Sequence, residues 1–260
     1  MDEVKKKYLG TNLKMYKTIE ETKVYLQRLK ELTADLPQEL LELFVIPSYT
    51  TLEAARQVTK GSHVKLGAQN MCWEKEGQFT GEISPLMLKE VGVDIVEIGH
   101  SERRHTFRET DQEEGRKVRT ALEYGFTPLL CVGETLEQRN FGISDEILST
   151  QLKVALHGLD RKEASGVWVA YEPVWAIGIN GIPASVEYVS ARHRHMRHVL
   201  TELFGEKTGM KIPILYGGSV NLENSVGLLR IPWVDGLFIG RSAWDAENFN
   251  KLIRRVLECK

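Results

Sequence analysis

Residues 167–171 read Val-Trp-Val-Ala-Tyr, a run that is apolar at every position and leads directly into Glu172. A strand with one face in water alternates apolar and polar side chains, so a run without alternation is typical of a strand buried on both faces. Residues 127–132, Thr-Pro-Leu-Leu-Cys-Val, show nearly the same pattern. Both stretches therefore predict strands of a parallel sheet.

Eight short apolar runs of this kind recur along the chain, and longer amphipathic segments separate them. Repeated alternation of strand and helix predicts an α/β protein. Eight repeats favour a closed (β/α)8 barrel over an open doubly wound sheet, in a single domain spanning residues 1–260. The predicted strands are Tyr8–Gly10, Leu43–Ile46, Val64–Ala68, Ile95–Ile98, Thr127–Val132, Val167–Tyr171, Ile212–Tyr216 and Gly236–Ile239.

The segments between the strands carry helix signals. Thr18 followed three residues later by Glu21 has the spacing of a capping box, and Val24, Leu26 and Leu29 continue as an apolar stripe. A second helix is predicted to open at Asp111, with Val118 and Leu122 on its buried side. Residues 147–156 and 188–204 are also predicted to be helical.

Composition and charge exclude several classes of function. Hydrophobic residues make up 42% of the chain, charged residues 27%, and the formal net charge is −2, so neither a polyanion nor nucleic acid is predicted as a partner. The three cysteines, Cys72, Cys131 and Cys259, form no CxxC pair, which argues against a zinc site or a disulfide framework. With no signal peptide and no apolar stretch long enough to span a bilayer, we expect a cytoplasmic protein without a membrane partner.

Two titratable residues lie where predicted strands end, which is where barrels carry their active sites. A carboxylate at Glu172 would be partly desolvated, as a general base requires, but it is equally consistent with helix capping or ion pairing. His100 precedes Ser101 and Glu102, which begin a predicted helix, and a helix N-terminus disfavours imidazolium. A neutral His100 would donate a hydrogen bond to a substrate carbonyl, although a lone histidine there is more often structural.

Basic and glycine-rich segments at other strand ends predict anion binding. Lys14 follows the first strand and is either a surface charge or a cation at the barrel mouth, with Asn12 beside it. Gly217-Gly218-Ser219 follows the seventh strand and Gly240-Arg241-Ser242 the eighth. Barrels often bind phosphate after these two strands, where glycines let backbone N–H groups approach closely, but a glycine pair alone is weak evidence.

Taken together, these segments resemble the triosephosphate isomerase family from about Tyr8 to the C-terminal helix. The motifs that carry the resemblance are Gly99-His100-Ser101-Glu102-Arg103-Arg104, Tyr171-Glu172-Pro173-Val174-Trp175-Ala176-Ile177-Gly178 and Tyr216-Gly217-Gly218-Ser219-Val220. The resemblance implies the TIM barrel fold and a cofactor-free isomerase acting on a sugar phosphate through an enediolate.

The resemblance also implies a role for each site residue. Glu172 is expected to be the base and His100 the neutral electrophile, a pairing that is the established chemistry of triosephosphate isomerase itself. Lys14 and Asn12 would face the enediolate, with Glu102 ordering Lys14 or Ser101. Backbone N–H groups would bind phosphate at Gly178, Ser219, Gly240 and Arg241.

The same resemblance implies a mobile lid over residues 173–184 and a loop that inserts into a partner subunit. The lid would include Pro173, Val174, Trp175, Ala176, Ile177, Ile179 and Asn180, and would exclude water when closed. Gln69 and Thr80 belong to the inserting loop, so a homodimer is expected. No metal ligand cluster or nucleotide loop is found, so neither a metal nor another cofactor is predicted.

The chain departs from the family pattern at several positions near the predicted site. The departures are Leu13 for Trp, Tyr16 for Asn, Gly178-Ile179-Asn180-Gly181 for Gly-Thr-Gly-Lys, Arg241 for Gly, and Trp244 for a smaller apolar residue. Arg241 either binds phosphate or a substrate hydroxyl, or points outward and pairs with Asp245; both interpretations stay open.

Because of these departures, two hypotheses about the substrate remain. The leading hypothesis is interconversion of D-glyceraldehyde 3-phosphate and dihydroxyacetone phosphate, with the place in glycolysis and gluconeogenesis that this implies. The alternative is conversion of L-erythrulose 1-phosphate to D-erythrulose 4-phosphate, as in a branch of the family. Two hypotheses from other classes are a Schiff-base aldolase using Lys14 and a barrel that binds phosphate without catalysis.

Overall fold

The computed structural model describes residues 5–178 and 181–258, and it contains a closed barrel of eight parallel strands in sequential order. β1 pairs with both β2 and β8, which closes the sheet on itself. The predicted (β/α)8 barrel is thus confirmed. The strands are β1 (Lys7–Asn12), β2 (Leu41–Ile46), β3 (Val64–Ala68), β4 (Ile95–Ile98), β5 (Thr127–Val132), β6 (Trp168–Tyr171), β7 (Ile214–Tyr216) and β8 (Gly236–Ile239).

Strand bounds agree with the sequence prediction for β3, β4, β5 and β8 and differ by a few residues for the others. The predicted seventh strand began at Ile212, whereas β7 begins at Ile214. Pro213 has no N–H to donate to a neighbouring strand, so regular pairing starts only after it. Its carbonyl still accepts a hydrogen bond from Val169 N–H at 2.9 Å.

Among the described residues, twelve α-helices accompany the strands, and three short 3-10 turns follow β2, β6 and β8. The turns are Tyr49–Thr51, Val174–Ala176 and Arg241–Ala243. The helices are α1 (Ile19–Leu32), α2 (Leu52–Thr59), α3 (Pro85–Val91), α4 (Ser101–Thr106), α5 (Asp111–Glu123), α6 (Leu136–Asn140), α7 (Ser144–Ala155), α8 (Arg161–Ala164), α9 (Val186–Phe204), α10 (Glu206–Gly209), α11 (Ser225–Leu229) and α12 (Ala246–Glu258).

The helix starts follow from their caps. Thr18 forms the predicted capping box with Glu21 at the start of α1. The prediction that Val24 belongs to the buried stripe of α1 is wrong, because its side chain is 62% exposed. The buried face instead contains Thr22, Tyr25, Leu26 and Leu29, which recur at the spacing of one helical face.

The core has two layers separated by the barrel wall. The outer layer packs helices on strands, and the inner layer fills the barrel with side chains such as Phe44, Leu129, Trp168 and Phe238. Because the inner layer is filled, the barrel is a packed core and not a pore. Substrate can therefore approach only at an end of the barrel.

Candidate active site

A cavity of about 630 Å³ opens at the carboxyl ends of the strands, over β1, β4, β6, β7 and β8. The barrel topology brings side chains far apart in sequence to this one place, because all eight strands point the same way. Its lining includes every residue predicted to act in catalysis or in phosphate binding, namely Asn12, Lys14, His100, Glu102, Glu172, Gly178, Ser219, Gly240 and Arg241.

Glu172 lies directly after β6 and is only 6% exposed. Its backbone N–H donates to Val132 O at 2.8 Å, which fixes the end of the strand. The Oε2 atom is buried and has no hydrogen-bond partner among residues 5–178 and 181–258. A buried carboxylate oxygen without a protein partner is suited to accept a proton from a bound substrate.

His100 is the residue before α4, and its ring faces the Glu172 carboxylate. Its Nε2 lies 3.6 Å from Glu172 Oε2, while its Nδ1 accepts a hydrogen bond from Glu102 N–H at 3.1 Å. Burial lowers the pKa of His100 even though the Glu172 and Glu102 carboxylates favour the charged form. The neutral ring therefore carries its hydrogen on Nε2, where it can donate to a substrate oxygen.

Lys14 is held as an ammonium ion at the cavity wall. Its Nζ lies 2.7 Å from Glu102 Oε1. Burial alone would lower the pKa of Lys14, but the hydrogen bond from Lys14 to Glu102 and the charge of Glu172 outweigh it and raise that pKa. A Schiff-base lysine needs a lowered pKa to act as an amine nucleophile, so Lys14 is poorly suited to an aldolase mechanism.

A strained turn places Lys14. Its φ of 52° lies in the left-handed region that non-glycine residues rarely adopt. Asn12 Oδ1 accepts a hydrogen bond from Lys14 N–H at 2.6 Å, and Gln69 Nε2 donates to Lys14 O at 2.8 Å. These contacts hold both peptide groups of Lys14, so its direction into the cavity is fixed by side chains from β1 and from the loop after β3.

The turns after β7 and β8 face the segment after β6 across the cavity. Ser219 Oγ donates to Ala176 O at 2.7 Å, and Arg241 Nη2 donates to Gly178 O at 3.3 Å. No ion pair links Arg241 to Asp245 in the described part of the chain. The guanidinium thus lies between the lid segment and the turn after β8, on the side of the cavity where phosphate was predicted to bind.

Comparison with known proteins places this geometry in a family. The family model for triosephosphate isomerase matches residues 7–256. The chain belongs to the triosephosphate isomerase family. It is accordingly an isomerase, which agrees with the resemblance noted from its motifs.

Two curated relatives and one solved structure show how the chain sits within the triosephosphate isomerase family. A protein of Rhizobium etli named L-erythrulose-1-phosphate isomerase is 48% identical over 96% of this chain and 92% of its own. One of the same name from Rhizobium meliloti is 46% identical over 96% of both chains. A crystal structure of triosephosphate isomerase from Bartonella henselae is 33% identical, covers 97% of this chain and 100% of its own, and superposes with a TM-score of 0.87. The names of the two Rhizobium relatives match the four-carbon alternative better than the leading triose hypothesis.

The lid predicted from the family resemblance begins as an ordered 3-10 turn over Val174–Ala176, between Pro173 and Ile177. Trp175 Nε1 donates to Glu134 Oε1 at 2.8 Å, and Tyr188 Oη donates to the same oxygen at 2.8 Å. Ile179 and Asn180 lie outside the described residues. Glu134, fully buried two residues after β5, was not predicted from the sequence; its one signal there is a carboxylate close to the end of an apolar strand.

Two of the departures from the family pattern, Tyr16 and Trp244, contact each other in the structure. The rings of Tyr16 and Trp244 have centroids 4.4 Å apart, and both residues line the cavity. Trp244 Nε1 donates to the backbone carbonyl of Asn12 at 2.9 Å, and Leu13 is buried beneath. Tyr16 and Trp244, which lie far apart in the sequence, therefore form one aromatic pair in the cavity wall beside Asn12.

The two residues predicted for the partner loop differ in their surroundings. Gln69 Nε2 donates to Asn12 Oδ1 at 3.0 Å as well as to Lys14 O, so it supports the site of its own chain. Thr80 is exposed.

No helix among the described residues is long and apolar enough to cross a membrane.

Proposed function

We propose that this protein interconverts L-erythrulose 1-phosphate and D-erythrulose 4-phosphate. The observation that carries the proposal is the shared name of relatives 46–48% identical over nearly the whole of both chains, set against 33% identity to a triosephosphate isomerase. The aromatic pair of Tyr16 and Trp244 beside Asn12 supports it, because these two side chains line the cavity that would hold the reacting carbons.

The reaction moves one proton between two carbons and one proton between their oxygens, which shifts the carbonyl group by one carbon. In L-erythrulose 1-phosphate the carbonyl is at C2, next to the phosphorylated carbon, and C3 carries a hydroxyl and a hydrogen. Removing the C3 proton gives a 2,3-enediolate. Transfer of the hydroxyl proton from O3 to O2 and return of a proton to C2 then leave the carbonyl at C3. Numbered from the other end, the product is D-erythrulose 4-phosphate. The chemistry equals triose isomerisation with a hydroxymethyl group in place of one hydrogen.

The site residues divide this work. Glu172 Oε2, which lacks a protein partner among the described residues, takes the C3 proton and returns one to C2. His100 donates from Nε2 to the substrate oxygens, which polarises the carbonyl without transferring a full charge. The Lys14 ammonium offsets the negative charge that develops on the enediolate, and Asn12 donates to the same region.

Phosphate binds on the opposite side of the cavity. Backbone N–H groups of Gly178, Ser219, Gly240 and Arg241 surround it, and the Arg241 guanidinium adds a charge-assisted hydrogen bond. Closure of the lid over residues 173–184 excludes water and protects the enediolate from losing phosphate.

The assembly we propose is a cytoplasmic homodimer in which each chain is one catalytic domain. The exposed Thr80 loop supports this, since a protruding loop can insert at an isologous interface. Equilibrium sedimentation that finds a monomer at micromolar concentration contradicts it.

The direct test is conversion of L-erythrulose 1-phosphate by the purified protein, followed by 31P and 13C nuclear magnetic resonance. We expect D-erythrulose 4-phosphate to form without any added cofactor, and deuterium from D2O to enter at the carbon that receives the proton. Glu172→Gln is expected to lower kcat at least a hundredfold, as general bases contribute about 10²–10⁴. No conversion by the wild type, or an unchanged rate in the variant, would overturn the proposal.

A further inference from the structure

One carboxyl group below the cavity has no role in the mechanism above. Glu97 lies on β4, two residues after Ile95, so both side chains point into the barrel. Glu97 is fully buried, and the inward positions around it hold apolar side chains such as Leu129. Burying a carboxyl group in an apolar layer costs free energy unless the group is hydrogen-bonded. The hydrogen-bond partners of Glu97 therefore indicate its role.

The main contact of Glu97 is Asn12, which lines the cavity. Asn12 Nδ2 donates to Glu97 Oε2 at 2.6 Å. The Asn12 Oδ1 atom accepts from Lys14 N–H at 2.6 Å and from Gln69 Nε2 at 3.0 Å. A side-chain amide has two N–H groups and two lone pairs, so these three bonds leave one N–H for a ligand.

The second contact of Glu97 leads toward the base. Its Oε1 accepts from Cys131 Sγ at 3.7 Å. One carboxyl oxygen of Glu97, the Cys131 sulfur and one carboxyl oxygen of Glu172 lie within 4.8 Å of one another. Burial and the charge of Glu172 raise the pKa of Glu97 well above its usual range, against the opposing effect of Lys14. The raised pKa favours the neutral form of Glu97, in which no second negative charge lies beside the base.

We propose that Glu97 is a positioning residue: its buried carboxyl group holds the Asn12 amide so that the remaining N–H points at the oxygen of the enediolate. Glu97 does not line the cavity and acts through Asn12. The proposal rests on the isomerase function proposed above. It accounts for the presence of an acid among the apolar side chains that fill the barrel. Glu97, Gln69 and the Lys14 N–H hold the Asn12 side chain. Gln69 also holds the Lys14 carbonyl.

The test compares three substitutions at Glu97 by steady-state kinetics. Glu97→Met removes the acceptor at similar volume, and we expect kcat to fall about 10–100-fold with KM within about threefold, since a misdirected oxyanion donor acts on the transition state. Glu97→Gln keeps an acceptor for Asn12 and mimics the neutral acid, so it should recover at least tenfold of that loss. Glu97→Asp retracts the carboxyl group and should lose kcat in the same direction as Glu97→Met, which keeps the test available if Glu97→Met fails to fold.

A double-mutant cycle separates positioning from general packing. In an Asn12→Ala background, Glu97→Met should lower kcat by less than about threefold further, because the group it positions is gone. Ile95→Val, inward on the same strand, serves as the packing control and should leave kcat unchanged, with folding of all variants checked by thermal unfolding.

Three results would overturn the proposal: a folded Glu97→Met variant with kcat within threefold of the wild type, the full loss persisting in the Asn12→Ala background, or Glu97→Gln as impaired as Glu97→Met. Rates are taken on whichever of L-erythrulose 1-phosphate and dihydroxyacetone phosphate the wild type converts. Failure of the proposed substrate is therefore seen in the wild type and is distinct from failure at Glu97.

Discussion

Glu172 packs between two glycines, Gly133 and Gly217, which directly follow the neighbouring strands β5 and β7. A Cβ at Gly217 would lie 2.7 Å from Glu172 Cγ, and one at Gly133 would lie 2.0 Å from Glu172 O. The sequence indicates Glu172 as a candidate base, because this residue follows a wholly apolar strand. For Gly217 the sequence suggests only a part in phosphate binding. The packing role of Gly217 depends on strand pairing across the barrel, which no local pattern contains.

At this scale we expect Gly217→Ala to displace the base and lower kcat about 10–100-fold, since a shift of about 1 Å at a reacting group can cost about 10² in rate. The control is Gly227→Ala in α11, where an added Cβ meets nothing within 4 Å. Steady-state kinetics on both variants decide the matter. Equal rates in the two variants would show that the Glu172 side chain tolerates the added methyl group.

Among the elements, the strands were predictable and the surroundings of the lid were not. The apolar composition of Thr127–Val132 is enough to predict a buried strand, and β5 has these predicted bounds. The sequence could not predict the direction of the Arg241 side chain, because that direction depends on a hydrogen bond to Gly178, which is 63 residues away. The packing of Tyr16 on Trp244 likewise joins the segments that follow the first and last strands, and neither local sequence indicates it.

For the turn after β8 we expect Arg241→Ala to lower kcat/KM about 10–100-fold, the size of one charge-assisted hydrogen bond of about 1.5–3 kcal/mol. Competitive inhibition by inorganic phosphate should weaken in parallel, because the guanidinium is assigned to the phosphate. A control is Arg194→Ala on α9, which does not line the active-site cavity. If phosphate inhibits Arg241→Ala as strongly as the wild type, the guanidinium does not bind phosphate.

For the whole molecule, a buried histidine couples stability to pH. His193 on α9 is fully buried, its Nδ1 is 3.1 Å from Trp233 O, and burial lowers its pKa to about 4. The unfolded chain has a histidine pKa of about 6.5, so below that pH the unfolded state binds a proton that the folded state does not. Stability contributed by neutral His193 is therefore present above about pH 6.5 and is lost as pH falls toward 4.

We expect the wild type to lose about 2 kcal/mol more stability than His193→Gln between pH 7.5 and pH 5, from linkage of about 1.36 kcal/mol per pH unit. Urea unfolding of both proteins at the two pH values measures this difference. Carboxyl groups with a raised pKa, such as Glu97, make the folded state more stable as the pH falls. Both proteins contain these groups, so their effect cancels in the difference in stability between the two proteins. Parallel pH dependence in the two proteins would mean that His193 is protonated in the folded state.

Substrate choice is also a property of the whole molecule, because Tyr16, Arg241 and Trp244 line one cavity only when β1 and β8 pair and close the barrel. The motifs predicted the family and the chemistry, but the same catalytic residues serve a three-carbon or a four-carbon substrate. The decisive measurement is the ratio of kcat/KM for L-erythrulose 1-phosphate to that for D-glyceraldehyde 3-phosphate. We predict a ratio of at least about 10, within the roughly 1–3 kcal/mol that a pocket gains from one such group. A ratio below one would contradict the four-carbon assignment and restore the triose substrate.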